Sequence, residues 1–193
     1  ISIEEVNEIK QYLDKFIWFL KPEKDFTLTS ILNQIKAIKQ RYGLEYFVID
    51  AWNKIEHADD KTSYIGKCLD EIVAFCEINN VHCFLVAHPT KIKKNLSTGK
   101  YEVPTLYDIA GSANFYNKAD NGICVYRDFE EQKTYVHIQK IKFDHWGTES
   151  CAVFTYDVKS KRYQSDTPDL GSWLNPKSLY NEMIEYVNGK PKE

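Results

Sequence analysis

The sequence predicts an α/β fold, a mostly parallel sheet flanked by helices and followed by an antiparallel extension. Three observations carry this. Two short apolar runs, Leu44 to Asp50 and Val81 to His88, each close on a single polar group. Between them lies a stretch with helical periodicity, long enough to cross back over a sheet. From Tyr135 onward the apolar residues alternate instead, the period of half-buried antiparallel strands.

Taken in order, Ser2-Ile3-Glu4-Glu5 is a capping box, and Val6, Ile9 and Leu13 continue a helical stripe. Phe16 to Leu20 reads as a short strand ended by Pro22. Thr27 caps a second helix whose apolar positions Leu28, Ile31, Leu32, Ile35 and Ile38 share a face until Gly43 stops it. The run to Asp50 is then a strand buried on both faces. A longer helix spans Thr62 to Asn79, with Ile65, Cys68, Leu69, Ile72, Val73 and Cys76 turned inward. The strand to His88 completes a right-handed βαβ unit, so Asp50 and His88 leave the same sheet edge. That edge is where open α/β sheets bind ligands, although a capping Asp and a structural His are the plainer readings.

A polar loop follows, with Lys91, Lys93, Lys94 and Lys100 and no acid before Glu102. Pro104-Thr105 opens a short helix reaching about Ala113, and Ile123 to Tyr126 is a further buried strand. Tyr135 to Ile141 and Ala152 to Tyr156 are antiparallel, and Lys161-Arg162-Tyr163 is a last short strand. Residues 1–165 form the main domain; 166–193 are an extension with a peripheral helix over Leu179 to Val187 and a charged tail.

Composition narrows the function classes. The 193 residues carry a net charge of −3 and 43% hydrophobic residues, an ordinary globular balance, so any nucleic-acid surface is a local patch. No apolar run has membrane-spanning length and no signal peptide opens the chain, so a cytoplasmic or other intracellular setting without membrane contact is expected. The five cysteines include no Cys-x-x-Cys pair and read as reduced core residues, and the five histidines lack zinc spacing. A chain that begins with Ile1 reads as a piece of a longer protein.

Four blocks, in this order, resemble the RecA-like motor domain of DnaB-like replicative helicases, in the phage primase-helicase and Twinkle branch. They are Val48-Ile49-Asp50-Ala51-Trp52-Asn53-Lys54-Ile55-Glu56, Val86-Ala87-His88-Pro89-Thr90-Lys91, Tyr107-Asp108-Ile109-Ala110-Gly111-Ser112-Ala113-Asn114 with Lys118-Ala119-Asp120-Asn121, and Lys140-Ile141-Lys142-Phe143. The resemblance spans roughly residues 1 to 165. No G-x-x-x-x-G-K-[ST] phosphate loop occurs, so the resemblance implies the C-terminal part of a motor whose phosphate loop lies upstream. Such a fragment is expected to be inactive alone.

What the resemblance implies for individual residues follows. Asp50 matches the acid that holds Mg2+ through water, and His88 the sensor of the terminal phosphate of ATP or another NTP or dNTP. Lys91, Lys93, Lys94 and Lys100 match the channel loop that grips single-stranded DNA, with Gly111, Ser112 and Asn114 in the motif that closes it. Arg127 and Tyr156 match positions flanking the nucleotide base; the plainer reading is a strand-end cation and a half-buried sheet residue. Lys140 and Lys142 occupy the Lys-x-Arg block that reaches the neighbouring subunit's nucleotide. Lys142 departs from that pattern by lacking the planar fork of arginine, which leaves the finger role open. The parent is implied to be a ring, six-membered, with a primase domain as an optional neighbour in the chain. Two other classes compete: a degenerate RecA-like DNA-binding module, and a hydrolase using Asp50 and His88 as an acid-base pair, the latter lacking a nucleophile elbow.

Overall fold

The computed structural model describes residues 2–22, 25–58, 62–90, 92, 94, 95, 97, 99–109 and 112–165. The extension expected over 166–193, like Lys91, Lys93 and Gly111, lies outside these residues. The chain divides into two units, Pro22–Tyr163 and the terminal residues Ile1–Lys21 with Gln164–Glu193.

In the terminal unit, Ser2 and Glu5 cap helix α1 (Ile3–Phe16) reciprocally: the Glu5 amide donates to the Ser2 hydroxyl and the Ser2 amide to the Glu5 carboxylate. None of its residues is buried. The strand expected over Phe16 to Leu20 does not form. Phe16 still belongs to α1, the Ile17 amide bonds back to the Leu13 carbonyl, and Phe19 is 95% exposed. A strand needs a neighbouring edge to satisfy its backbone, and the described residues offer this segment none.

The larger unit begins with α2 (Leu28–Tyr42), whose Thr27 cap accepts from the Ser30 amide at 3.3 Å. Gly43, at a φ of 75°, ends it in a conformation that costs glycine little. β1 (Tyr46–Asp50) then pairs in parallel with β2 (His82–Val86), from Tyr46 opposite His82 to Asp50 opposite Val86. The crossover is α3 (Thr62–Asn79), with the predicted bounds. Leu28, Leu32 and Ile35 of α2, Phe47 and Ile49 of β1, and Ile65, Cys68, Leu69 and Ile72 of α3 form one core with Trp52, Ile55 and Phe115. Val73, expected inward, is 39% exposed at the shoulder of α3.

β1 and β2 are not buried on both faces as their unbroken apolar runs suggest. Tyr46, Val48 and Phe84 face outward, at 60%, 62% and 47% exposure, while Phe47 and Ile49 face the helices. Side chains alternate across a strand whatever their chemistry, and α2 and α3 cover only one face.

The remaining strands form a second, four-stranded sheet in the order β3 (Asn121–Asp128), β4 (Lys133–Ile141), β5 (Ser150–Asp157), β6 (Arg162–Ser165), with β3–β4 and β4–β5 antiparallel. β3, expected as a buried strand, exposes Ile123 and Val125 on one face. The helix expected from Pro104 to Ala113 splits. One tight turn, Leu106–Asp108, precedes a separate α4 (Ser112–Lys118). The cause is local: Thr90 takes the Asp108 carbonyl through its amide (2.7 Å) and hydroxyl (2.8 Å), the acceptor a continuing helix would need.

All five cysteines are free, but only Cys68 is fully buried and Cys151 is exposed, so the core assignment holds in part. Among the described residues no helix is long and apolar enough to cross a membrane.

Candidate functional site

Parallel register decides the first part of the site. Asp50 lies opposite Val86, and His88 follows two residues beyond, so both groups emerge from the same edge. No described side chain bonds to or pairs with the Asp50 carboxylate. The peptide between Asp50 and Ala51 is cis. Trp52 then drops back into the core, edge-on to Phe115 of α4 at 5.6 Å and 4.5 Å from the His57 ring. Sequence reading assigned Trp52 no role, yet it seats the Asp50 turn against α4.

The base of the polar loop is joined to this edge. Pro89 bridges Ile109, and Thr90 holds the Asp108 carbonyl. The Asp108 carboxylate accepts from the Thr105 amide at 2.7 Å and hydroxyl at 2.9 Å, which holds it below the usual carboxylate range. A shift of His88 is thus two residues from a shift of the loop's closing motif. This link was absent from the sequence reading; a Thr-x-x-Asp cap at Thr105 was its only trace.

Within the loop, Lys94 bridges Tyr101 and its ammonium lies over the Tyr101 ring at 5.8 Å. Lys100 is placed differently from its neighbours. Its ammonium meets Glu131 at 3.2 Å, Asp128 at 3.3 Å and Glu130 at 3.8 Å, all on the β3–β4 turn. Glu131 and then Asp128 hold the Lys100 ammonium above its ordinary pKa.

Arg127 and Tyr156 do come together. Two strands apart on one face, they make a cation–π contact of 5.7 Å, and Arg127 also covers Phe129 at 5.0 Å. A base stacked between guanidinium and phenol needs roughly 7 Å, two contacts of about 3.5 Å. The pair must therefore part by about an ångström to accept one.

Lys140 is drawn inward, donating to the Tyr116 carbonyl and lying over the Tyr116 ring at 4.7 Å, where Tyr107 stacks on that ring. Lys142 bonds Asp120 at 2.6 Å and stays half exposed. Asn114 spends its amide on the Thr62 carbonyl at 2.7 Å, tying α4 to the start of α3. Ser112 is the first residue of α4. No group of three His, Cys, Asp or Glu side chains among the described residues is set to hold a metal, so Asp50 stands alone. One carboxylate fits Mg2+, which keeps several waters and completes its shell with phosphate oxygens.

No protein-family model matches the chain. A Twinkle homolog protein, chloroplastic/mitochondrial, from Arabidopsis thaliana is 32% identical over 179 residues, 87% of this chain. The chain spans about a quarter of that relative's length, 24%. Among solved structures, the ATPase domain of a helicase superposes with a TM-score of 0.56 at 14% identity, over 71% of this chain and 50% of that one. The second likeness establishes the fold, RecA-like α/β; the first establishes descent.

Proposed function

Since this chain is a segment of a DnaB-like helicase motor domain, homologous to Twinkle, we propose that the full-length protein couples NTP hydrolysis to movement along single-stranded DNA. The chain itself would supply the half of the motor that senses the nucleotide and grips the strand. One observation carries the reading: the β1–β2 register sets Asp50 and His88 at one edge, and the next residues are hydrogen-bonded to the base of a basic loop.

Asp50 would hold Mg2+, and Arg127 with Tyr156 would take the base. Bound ion and nucleotide supply the phosphoryl group and the positive charge that offsets charge developing on its oxygens. His88 offers a neutral or charged N–H to the terminal phosphate, and losing that partner frees Pro89 and Thr90 to carry Asp108 with them. Lys91, Lys93 and Lys94 would meet DNA phosphates, contacts that carry no base identity and suit a motor indifferent to sequence. The chain has no phosphate loop of its own; the remainder of the full-length protein is proposed to supply it.

The working form is proposed to be a six-membered ring with sites between subunits, where Lys142 leaves Asp120 and acts on the neighbour's nucleotide. Lys142→Ala should then abolish hydrolysis while sparing nucleotide binding. Rings mixed with Asp50→Ala subunits should regain part of the rate, and a mixture with no regained rate argues for a purely structural Lys142.

The deciding experiment separates Asp50 from His88 in the full-length protein. Asp50→Ala should lose hydrolysis at least a hundredfold, about 3 kcal/mol of barrier, with or without DNA. His88→Ala should reduce DNA stimulation of hydrolysis more than the basal rate. An Asp50→Ala protein with wild-type turnover would remove the motor reading and leave a DNA-binding module.

A further inference from the structure

We infer that Lys100 is a positioning residue: with Tyr101 it clamps the returning arm of the basic loop onto the β3–β4 turn, and it does not contact DNA phosphate. This goes beyond the proposed function, which it rests on only for the loop's role in DNA binding.

Two attachments make the clamp. The Lys100 ammonium sits among Asp128, Glu130 and Glu131 within 3.8 Å. One residue on, the Tyr101 carbonyl accepts from the Tyr126 hydroxyl at 3.3 Å. The receiving groups are themselves built in. Asp128 is 8% exposed, and its other oxygen accepts from the Glu130 and Glu131 amides at 2.8 and 3.0 Å. Glu131 accepts the Tyr135 hydroxyl with its second oxygen, and Tyr135 is the cross-strand partner of Tyr126. Both attachments therefore land on one preorganised patch at the end of the β3–β4 ladder. On the loop side the arm is a small hairpin, with the Asn95 amide on the Lys100 carbonyl at 2.9 Å and Lys94 bridging Tyr101.

Charge argues in the same direction. A lysine among three carboxylates has little field left for a phosphate, and bringing a polyanion to that patch would set three negative charges against it. Lys94, by contrast, has an aromatic ring beneath its ammonium. Alternation along β3 adds a consequence. Tyr126 and Asp128 hold the loop on one face while Arg127 presents itself to Tyr156 on the other. The strand thus joins the loop to the place where a base would stack.

The test uses the full-length protein, with amide hydrogen exchange and a salt titration of fluorescent oligonucleotide binding run on the same variants. In Lys100→Ala, the Asn95 and Gly99 amides should exchange about tenfold faster, because their hairpin loses its anchor. A Lys100→Glu, Glu131→Lys double variant should recover most of that protection. Lys100→Ala should weaken single-strand binding without changing the log–log salt slope, whereas Lys94→Ala should flatten it by about 0.7 for each phosphate that Lys94 neutralises. Unchanged exchange in Lys100→Ala overturns the clamp, and so does a flattened slope in that variant. Faster exchange together with slopes that neither lysine affects supports the clamp and removes the DNA reading of the loop instead.

Discussion

Single residues in this chain draw their chemistry from neighbours that are distant in sequence or at the next turn. Tyr135 is the sharpest case. Its hydroxyl donates to Glu131, with the Asp128 carboxylate nearby, and this pushes the phenol up to about 12 although Lys100 pulls the other way. The raised value means that the folded state binds this proton more tightly. Its stabilisation is complete below the ordinary tyrosine value of about 10 and is lost as pH rises from there towards about 12. Glu131 shifts oppositely, held below its usual range first by Tyr135 and then by Lys100. Its contribution is present above about pH 4.3 and fades as pH falls through its lowered value. Ring resonances of labelled tyrosine, followed by NMR, should show Tyr135 titrating last among the exposed phenols. Glu131→Gln should bring it back towards about 10; an unchanged midpoint in that variant would exclude the hydrogen bond as the cause.

Elements are joined here through close approaches more than through long interfaces. Gly122 on β3 lies under Leu106 of the Leu106–Asp108 turn: a Cβ at that position would meet the Leu106 methyl carbons at 2.6 and 2.7 Å. The turn carries the Asp108 carbonyl that Thr90 grips, so this contact helps fix the loop base against the antiparallel sheet. Gly122→Ala should destabilise by about 1–3 kcal/mol, since Leu106 must leave its seat. Adding Leu106→Ala should recover part of that loss, because the two changes share one volume. Urea unfolding midpoints measure both. Strictly additive losses would mean that the turn and β3 do not press on one another. Further along the same strand, Ile123 and Val125 face outward.

At the scale of the whole chain, the groups proposed to bind nucleotide are a single strand-end carboxylate, one imidazole and a cation–aromatic pair. None of them cradles phosphates, and the backbone amides that usually do so belong to a motif the chain lacks. Residues 1–193 alone should accordingly bind Mg-ATP more weakly than about 1 μM, that is, by less than about 8 kcal/mol. Titration calorimetry measures this, and a constant at or below that level would require a phosphate site within this segment.

The sequence by itself determined the order of helices and parallel strands, because period and caps are local properties. Ser2, Thr27 and Gly43 bound helices where expected, and the runs ending at Asp50 and before His88 are strands. Once those strands are parallel, the shared edge for Asp50 and His88 follows from connectivity alone, which is why the centre of the site was legible. The motif order, likewise, pointed to the helicase family from the residues alone. Three-dimensional structure alone decided exposure and partnership. Phe16 to Leu20 looks like a strand because β propensity is local, but it lacks a neighbour that only the fold can supply. Lys100 looks like its loop companions because formal charge is also local. Its three carboxylates lie 28 to 31 residues later and reach it only through the turn of a hairpin it does not belong to. Electrostatic interaction depends on distance through space, and a linear sequence states distance only along the chain.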